Sequence, residues 1–182
     1  MSKALCTLGA VIIDADVIAR EVVRPGRRAY RQILAAFGPT VFLEDGTLNR
    51  PVLRKMIMDD PSLRAKMNGA THLNILLEIF KQILWLRLVK RHDFVVLDAP
   101  LLFETGLQHV CCWVVVVACP RAVQVQRVVR RDAVTAAEAE RSVAAQLPLD
   151  VKMAAADFVI DNSGTLDDLG AAVADVVKQI AR

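Results

Sequence analysis

Two carboxylates follow a short apolar stretch near the start of the chain. Residues 11–13 are all apolar and lead directly into Asp14 and Asp16, with Arg20 four residues further on. Because residues i and i+2 of a strand project to the same side, the sequence predicts that Asp14 and Asp16 lie together at the carboxyl end of a buried strand. Carboxylates in that position can accept a proton from a hydroxyl or help to hold Mg²⁺. Alternatively, they only begin a turn or cap a helix.

A second apolar stretch also ends in a carboxylate. Residues 94–97 are apolar, Asp98 follows them, and Ala99-Pro100 comes next. An apolar strand that ends in Asp resembles the element that holds magnesium in P-loop phosphotransferases. The alternative is an Asp that only closes a strand at a turn.

Three arginines have a spacing that places them on one side of a helix. Arg127, Arg130 and Arg131 occupy positions i, i+3 and i+4 of a predicted helix. Their planar guanidinium groups suit phosphate oxygens and would repel one another without a neutralising partner. The alternative is a solvated helix face balanced by the acidic residues between 132 and 140.

The composition limits the classes of function. The chain has 182 residues, of which 54% are hydrophobic and 24% are charged, which is typical of a single folded domain. The net charge of +3 is small and the basic residues are scattered, so we expect no nucleic-acid partner and no binding to a membrane surface. The longest apolar run, 110–119, is about half as long as a membrane span.

The four cysteines show no metal-binding or redox pattern. None belongs to a C-x-x-C pair, and no histidine stands at zinc-ligand spacing from them. Three of them lie in or beside an apolar run, so we expect buried, reduced thiols. Without a visible signal peptide, this predicts a cytoplasmic protein, or a mitochondrial or other organellar one if a missing amino-terminal segment carries a targeting signal. The residues are Cys6, Cys111, Cys112 and Cys119.

Apolar strand segments alternate with amphipathic helical segments along the chain. This alternation predicts an α/β protein with a parallel sheet. Residues 73–89 are apolar on most faces of their helix, so we expect most of them to be buried or to face a partner. The strands are expected at 11–16, 94–98, 113–118 and 157–160, and the main helices at 28–37, from 49–51 onward, and at 61–91, 121–131, 135–147 and 165–180.

Several motifs, taken in order along the chain, resemble the dephospho-CoA kinase family. Together they are much more specific than any one of them, and they cover essentially the whole chain. The matching segments are 14–20, 22–26, 37–38, 45–50, 100–104, 127–132, 145–146 and 159–164.

The resemblance implies an enzyme that uses ATP and Mg²⁺ to phosphorylate the ribose 3′-hydroxyl of dephospho-CoA, the last step of coenzyme A synthesis. It also implies a P-loop kinase-like parallel sheet with flanking helices. Residues 1–28 and 92–182 would form the nucleotide-kinase core, with a lid at about 121–148. Residues 29–91 would form a helical substrate-binding subdomain.

The resemblance also implies roles for individual residues. Asp16 is the candidate general base, Arg127 is a second catalytic candidate, and Asp98 is the candidate metal ligand. His72 matches a family histidine, although Leu73 stands where the family usually has proline. Dephospho-CoA binding is assigned to Asp14, Arg20, His72, Pro100, Leu101, Leu102, Phe103 and Glu104. Lid or ATP binding is assigned to Arg127, Arg130, Arg131 and Asn162.

The chain departs from the family pattern at its start. The family opens with a strand and the phosphate-binding loop G-x-x-x-x-G-K-[ST], whereas residues 1–7 here have the pattern of the helix that follows that loop. We therefore expect a truncated form that lacks the central first strand and the P-loop, is unstable alone, and is weak or inactive as a kinase. The alternatives are an inactive dephospho-CoA-binding remnant and an enzyme like the nucleoside monophosphate kinases.

Overall fold

The computed structural model describes residues 1–181, without the side chains of Lys3 and Asp59. Met1–Ala10 and Pro100–Arg182 form one compact unit, and Val11–Ala99 form the other. The strands are β1 (Val11–Asp14), β2 (Val95–Asp98), β3 (Val115–Ala118) and β4 (Phe158–Asp161). The α-helices are α1 (Ser2–Thr7), α2 (Ala15–Glu21), α3 (Arg28–Phe37), α4 (Arg50–Asp59), α5 (Pro61–Leu84), α6 (Arg121–Asp132), α7 (Ala136–Ala144), α8 (Leu149–Ala154) and α9 (Leu166–Ile180).

The unit Val11–Ala99 is built on a parallel strand pair and one long helix. β1 and β2 run parallel, and Ile13 of β1 is almost fully buried. Helix α5 packs against α2, α3, α4 and β1, with Ile79 on its buried side. Asp60 caps α5 through bonds from two backbone N–H groups, and Pro61 at the first helical position needs no such partner.

The end of α5 and the segment after it leave apolar side chains in solvent. A short π-helical segment, Trp85–Val89, follows α5, and the Arg87 guanidinium closes it by donating to the carbonyl oxygens of His92 and Asp93. The expected burial of most of residues 73–89 is therefore only partly correct. The core side is buried, but the following large apolar residues are exposed: Leu73, Leu77, Phe80, Leu84, Trp85, Leu88 and Val89.

The other unit is built on the second parallel strand pair. β3 and β4 pair in register, and the Asp157 carboxylate accepts a bond from the backbone N–H of Val114 at 2.7 Å just before they begin. Helices α6 and α7 form an antiparallel hairpin. Thr135 and Glu138 form a capping box at the start of α7, and a similar box opens α9. Helix α1 packs against α9.

The structure corrects several local predictions. The helix expected over 135–147 ends at Ala144, and a further short helix, α8, follows Pro148. Between α3 and α4 the chain forms a 3₁₀ turn at Pro39–Val41 and a single bridge between Phe42 and Leu48. In the described residues, β2 pairs only with β1 and β3 only with β4, so the strands form two parallel pairs.

The prediction that the cysteines are buried is wrong. Cys6 and Cys112 are exposed, and Cys111 and Cys119 are half-buried. The reason is that β3 begins at Val115, so the first half of the apolar run 110–119 is loop rather than strand. Within the described part of the chain, every helix falls short of the length and apolarity that crossing a membrane requires.

Candidate active site

Two carboxylates lie at the carboxyl ends of neighbouring parallel strands. Asp14 ends β1, Asp98 ends β2, and the two residues are partners in the strand register. In α/β folds this is the usual place for a ligand, because the loops and helix starts beyond the strands leave polar groups unpaired there. The structure therefore brings the first two carboxylate motifs of the sequence to one edge.

The predicted strand position of Asp16 is wrong. β1 ends at Asp14, whose carboxylate accepts bonds from the backbone N–H groups of Asp16 at 2.8 Å and Val17 at 3.0 Å. Asp14 is thus the N-cap of α2, the alternative that the sequence left open. Asp16 lies in the first helical turn, where the helix dipole favours a negative charge. Arg20 is one turn further on the same side, and both side chains are exposed.

A shallow cavity in the same unit was not predicted from the sequence. Its volume is about 200 Å³, and it is lined by residues of α5 and of the turn before α3. Three of its residues are cationic: Arg27, Arg28 and Lys81. Consecutive arginines at a helix start are unfavourable for the helix dipole, and that was the signal in the sequence that could have indicated a basic site. His72 is exposed on α5 and does not line the cavity.

The loop that follows β2 is ordered by its own backbone. The N–H groups of Thr105 and Leu107 donate to the carbonyl oxygens of Leu101 and Leu102, and Gly106 adopts the left-handed conformation that this turn requires. Leu107 anchors the loop in the core. The loop therefore has one defined shape, with Pro100 at its start.

Glu104 is held by partners within its own unit. Its Oε1 atom accepts a bond from the backbone N–H of Leu147 at 3.0 Å and lies 2.8 Å from Nζ of Lys152. Desolvation by burial raises the pKa of Glu104, but the bonds from Lys152, from its own backbone and from Leu147, with the charge of Lys152, together hold it below its ordinary value. The carboxylate assigned to substrate binding is thus already paired.

The three arginines of α6 are exposed but not equivalent. Arg131 forms a fork with the neighbouring Asp132, with N–O distances of 2.7 and 2.8 Å, which raises the pKa of Arg131 and lowers that of Asp132. Arg127 and Arg130 have no ion-pair partner among residues 1–181. They are the members of the cluster that are available for an anion.

Asn162 follows β4 directly, and its backbone N–H donates to the carbonyl of Ala118 at the end of β3. It therefore lies where the second strand pair ends.

These features define an α/β protein of the kind that binds its ligand at the carboxyl ends of parallel strands, with cationic side chains suited to phosphate groups. No group of three or more His, Cys, Asp or Glu side chains in the described part of the chain could hold a metal ion by itself.

Comparisons with known proteins identify the family. The profile described as "Dephospho-CoA kinase" matches residues 1–168. A "Dephospho-CoA kinase domain-containing protein" of Danio rerio is 43% identical over 169 residues, which cover 92% of this chain and 73% of the relative. The "Dephospho-CoA kinase" of Moorella thermoacetica is 41% identical over 175 residues, which cover 96% of this chain and 82% of the relative.

The fold comparison agrees. The solved structure of a dephospho-CoA kinase from Campylobacter jejuni superimposes with a TM-score of 0.72 at 22% identity, covering 98% of this chain and 88% of that one. The chain belongs to the dephospho-CoA kinase family. Membership implies an ATP-dependent phosphotransferase of coenzyme A biosynthesis with the P-loop NTPase fold.

Proposed function

We propose that this chain transfers the γ-phosphoryl group of ATP to the ribose 3′-hydroxyl of dephospho-CoA. The observation that carries the proposal is the arrangement at the end of the first strand pair. Asp14 and Asp98 end neighbouring strands, and Asp14 fixes the helical turn that presents Asp16. The matched family region, 1–168, includes every residue to which we assign a role.

Asp16 acts as the general base. Its carboxylate accepts the proton of the 3′-hydroxyl while the hydroxyl oxygen bonds to the γ-phosphorus and the bond from that phosphorus to the ADP oxygen breaks. Asp14 positions this carboxylate through the helix cap and also contacts the acceptor. Arg20, one helical turn from Asp16, binds the acceptor phosphates as a planar cation.

Asp98 would hold Mg²⁺ together with the nucleotide phosphates. The donor set fits this ion, because Mg²⁺ keeps several waters and needs only one or two protein carboxylates beside phosphate oxygens. When bound, the ion neutralises charge on the transferred phosphoryl group. Arg127 and Arg130, which lack ion pairs in the described chain, bind ATP phosphates together with Arg131, and Asn162 contacts the adenine.

We assign the substrate-binding and nucleotide-binding parts of the chain as the family resemblance implies. Residues 29–91 form the helical substrate-binding subdomain, and residues 1–28 and 92–182 form the nucleotide-kinase core with its lid at about 121–148. His72 and the loop from Pro100 to Phe103 contact dephospho-CoA. The cations that line the shallow cavity, two of them just before this subdomain and one within it, offer a further contact to the anionic groups of the acceptor.

The test of the general base compares two aspartates in matched positions. Asp16 and Asp167 both occupy the first turn of a helix and are both exposed. We expect Asp16→Asn to lower kcat by about 10²- to 10⁴-fold, because the positioned base is lost. Asp167→Asn loses the same favourable charge at a helix start and should leave kcat within about twofold of wild type. Equal kinetics for the two variants would contradict the role of Asp16.

Binding and turnover measurements with different acceptors decide between the competing functions. A chain that binds dephospho-CoA in calorimetry but forms no ADP above background is a binding remnant rather than a kinase. A chain that phosphorylates AMP or UMP in preference to dephospho-CoA is an enzyme of the nucleoside monophosphate kinase type. Turnover with dephospho-CoA as the preferred acceptor supports the proposal.

A further inference from the structure

The ion pair with the least exposed side chains that the structure describes joins α8 to the loop after β2. The side chains of Lys152 and Glu104 are 11% and 20% exposed. The other ion pairs described in residues 1–181 each have at least one side chain that is 40% or more exposed. Because less of these two side chains is in contact with water, solvent screens this pair less than it screens the other ion pairs described.

Both members of the pair have a further hydrogen-bond partner. Glu104 Oε1 accepts from Lys152 Nζ at 2.8 Å and from the N–H of Leu147 at 3.0 Å, and Lys152 Nζ also donates to Gln146 Oε1 at 3.0 Å. Glu104 belongs to the loop after β2, whereas Gln146 and Leu147 form the exit of the α6–α7 hairpin. One carboxylate therefore links three parts of the chain: the loop, the hairpin exit and α8.

We infer that Glu104 is a positioning residue that fixes the end of the α6–α7 hairpin to the Pro100–Gly106 loop, with Lys152 as its obligatory partner, and that it is not a contact to the acceptor. This inference rests on the proposed function, in which the loop binds dephospho-CoA and the hairpin binds ATP. We call the cluster of Glu104, Gln146, Leu147 and Lys152 the hairpin anchor. The hairpin anchor fixes the end of the arginine-bearing hairpin at which α7 leaves it. The opposite end is the α6–α7 turn, in which Ala133 adopts the left-handed conformation.

Three substitutions separate the bonds of the anchor. Glu104→Gln keeps an oxygen that can accept from Leu147 but loses the charge that Lys152 needs. Lys152→Met removes the cation of the same ion pair. Glu104→Ala removes the bonds of Glu104 to both Lys152 and Leu147. Lys178→Met is the matched control, because Lys178 pairs with Asp175 at 3.2 Å in a position where both side chains are about 70% exposed.

The first readout is the hydrogen exchange of the Leu147 amide in the full chain, measured by NMR. We expect exchange to become about tenfold faster or more in Glu104→Ala, because the amide loses its acceptor, with a smaller change in Glu104→Gln. Trypsin cleavage after Arg141 should accelerate in the same order. Lys178→Met should match wild type in both measurements. Unchanged protection of Leu147 in Glu104→Ala would overturn the anchor, whatever the activity of the chain.

The second readout is steady-state kinetics of the two single variants and of Glu104→Gln/Lys152→Met. If the anchor positions the hairpin, the two single variants raise KM for ATP to a similar extent, within about threefold, and the double variant is no worse than either. An increase in KM for dephospho-CoA in Glu104→Gln that is absent from Lys152→Met would make Glu104 an acceptor contact and overturn the inference. If the wild-type chain has no kinase activity, the proposed function is refuted, but the exchange measurement still tests the anchor.

Discussion

At the scale of single residues, the decisive feature is that one carboxylate ends a strand and begins a helix. Asp14 lies in register with Asp98 and at the same time accepts two backbone bonds from the start of α2. Its backbone is extended, as an N-cap requires, so the chain changes direction at this residue. Asp16 is presented by the helix that this change produces.

The dual role of Asp14 predicts different results for two substitutions. Asp14→Ala removes the cap and should lower the free energy of unfolding by about 1 kcal/mol, whereas Asp14→Asn, which can still cap, should cost much less. Urea denaturation measures both. If Asp14→Asn is as unstable as Asp14→Ala, the cap is not what Asp14 contributes to stability.

The carboxylates of this site were predictable, but their arrangement was not. The apolar stretch before Asp14 indicated a strand correctly. The error was to continue the strand through Asp16, because residues 11–16 carry no signal that separates a strand end from an N-cap beyond the aspartate itself. In the same way, nothing in the local sequence indicated that Glu104 would be paired, since Lys152 is a distant residue brought near by the fold.

At the scale of elements, α5 shows how burial divides one apolar helix into two sides. Ile79 is 1% exposed and Phe80 is 54% exposed, although they are neighbours in a helix that is apolar on most faces. Periodicity predicted the helix well. It could not identify the exposed side, because the sequence is apolar there as well and only the packing of α2, α3, α4 and β1 distinguishes the two sides.

This difference predicts unequal costs of truncation. Ile79→Ala should lower the free energy of unfolding by about 2–5 kcal/mol, because it leaves a cavity in the core. Phe80→Ala should cost less than about 1 kcal/mol, since much of the ring is already in water and alanine favours the helix. Chemical denaturation of the two variants in parallel tests this, and a larger loss for Phe80→Ala would show that α5 buries the opposite side.

At the scale of the whole molecule, local patterns predicted the order of elements and long-range pairing supplied the rest. The four strands lie within about two residues of where the sequence placed them, and most helices begin near the expected residues. The pairing of β1 with β2 and of β3 with β4 joins residues far apart in the chain, and no local pattern encodes it. The family resemblance predicted the biochemical class, which the comparisons confirm.

The ion pair of Glu104 and Lys152 also predicts how stability responds to acid. The pKa of Glu104 in the folded protein is below its ordinary value of 4.5, so its contribution is fully present above that pH and is lost as the pH falls through the lower folded value. At pH 7, Glu104→Gln should be less stable than wild type by about 0.5–1 kcal/mol, because solvent screens a pair that is only partly shielded from water. The difference should shrink below about pH 4.5, and a gap that stays constant down to pH 2 would contradict the assignment.

The most direct test of the central claim is to identify the product by ³¹P NMR after incubation of the purified chain with ATP, Mg²⁺ and dephospho-CoA. The account predicts one new phosphomonoester resonance, that of the ribose 3′-phosphate, in a one-to-one ratio with ADP. It also predicts that an acceptor lacking the 3′-hydroxyl gives neither product, because the attacking oxygen is absent. No 3′-phosphate from a folded chain, or ADP formed equally well with the 3′-deoxy acceptor, would contradict the proposed function.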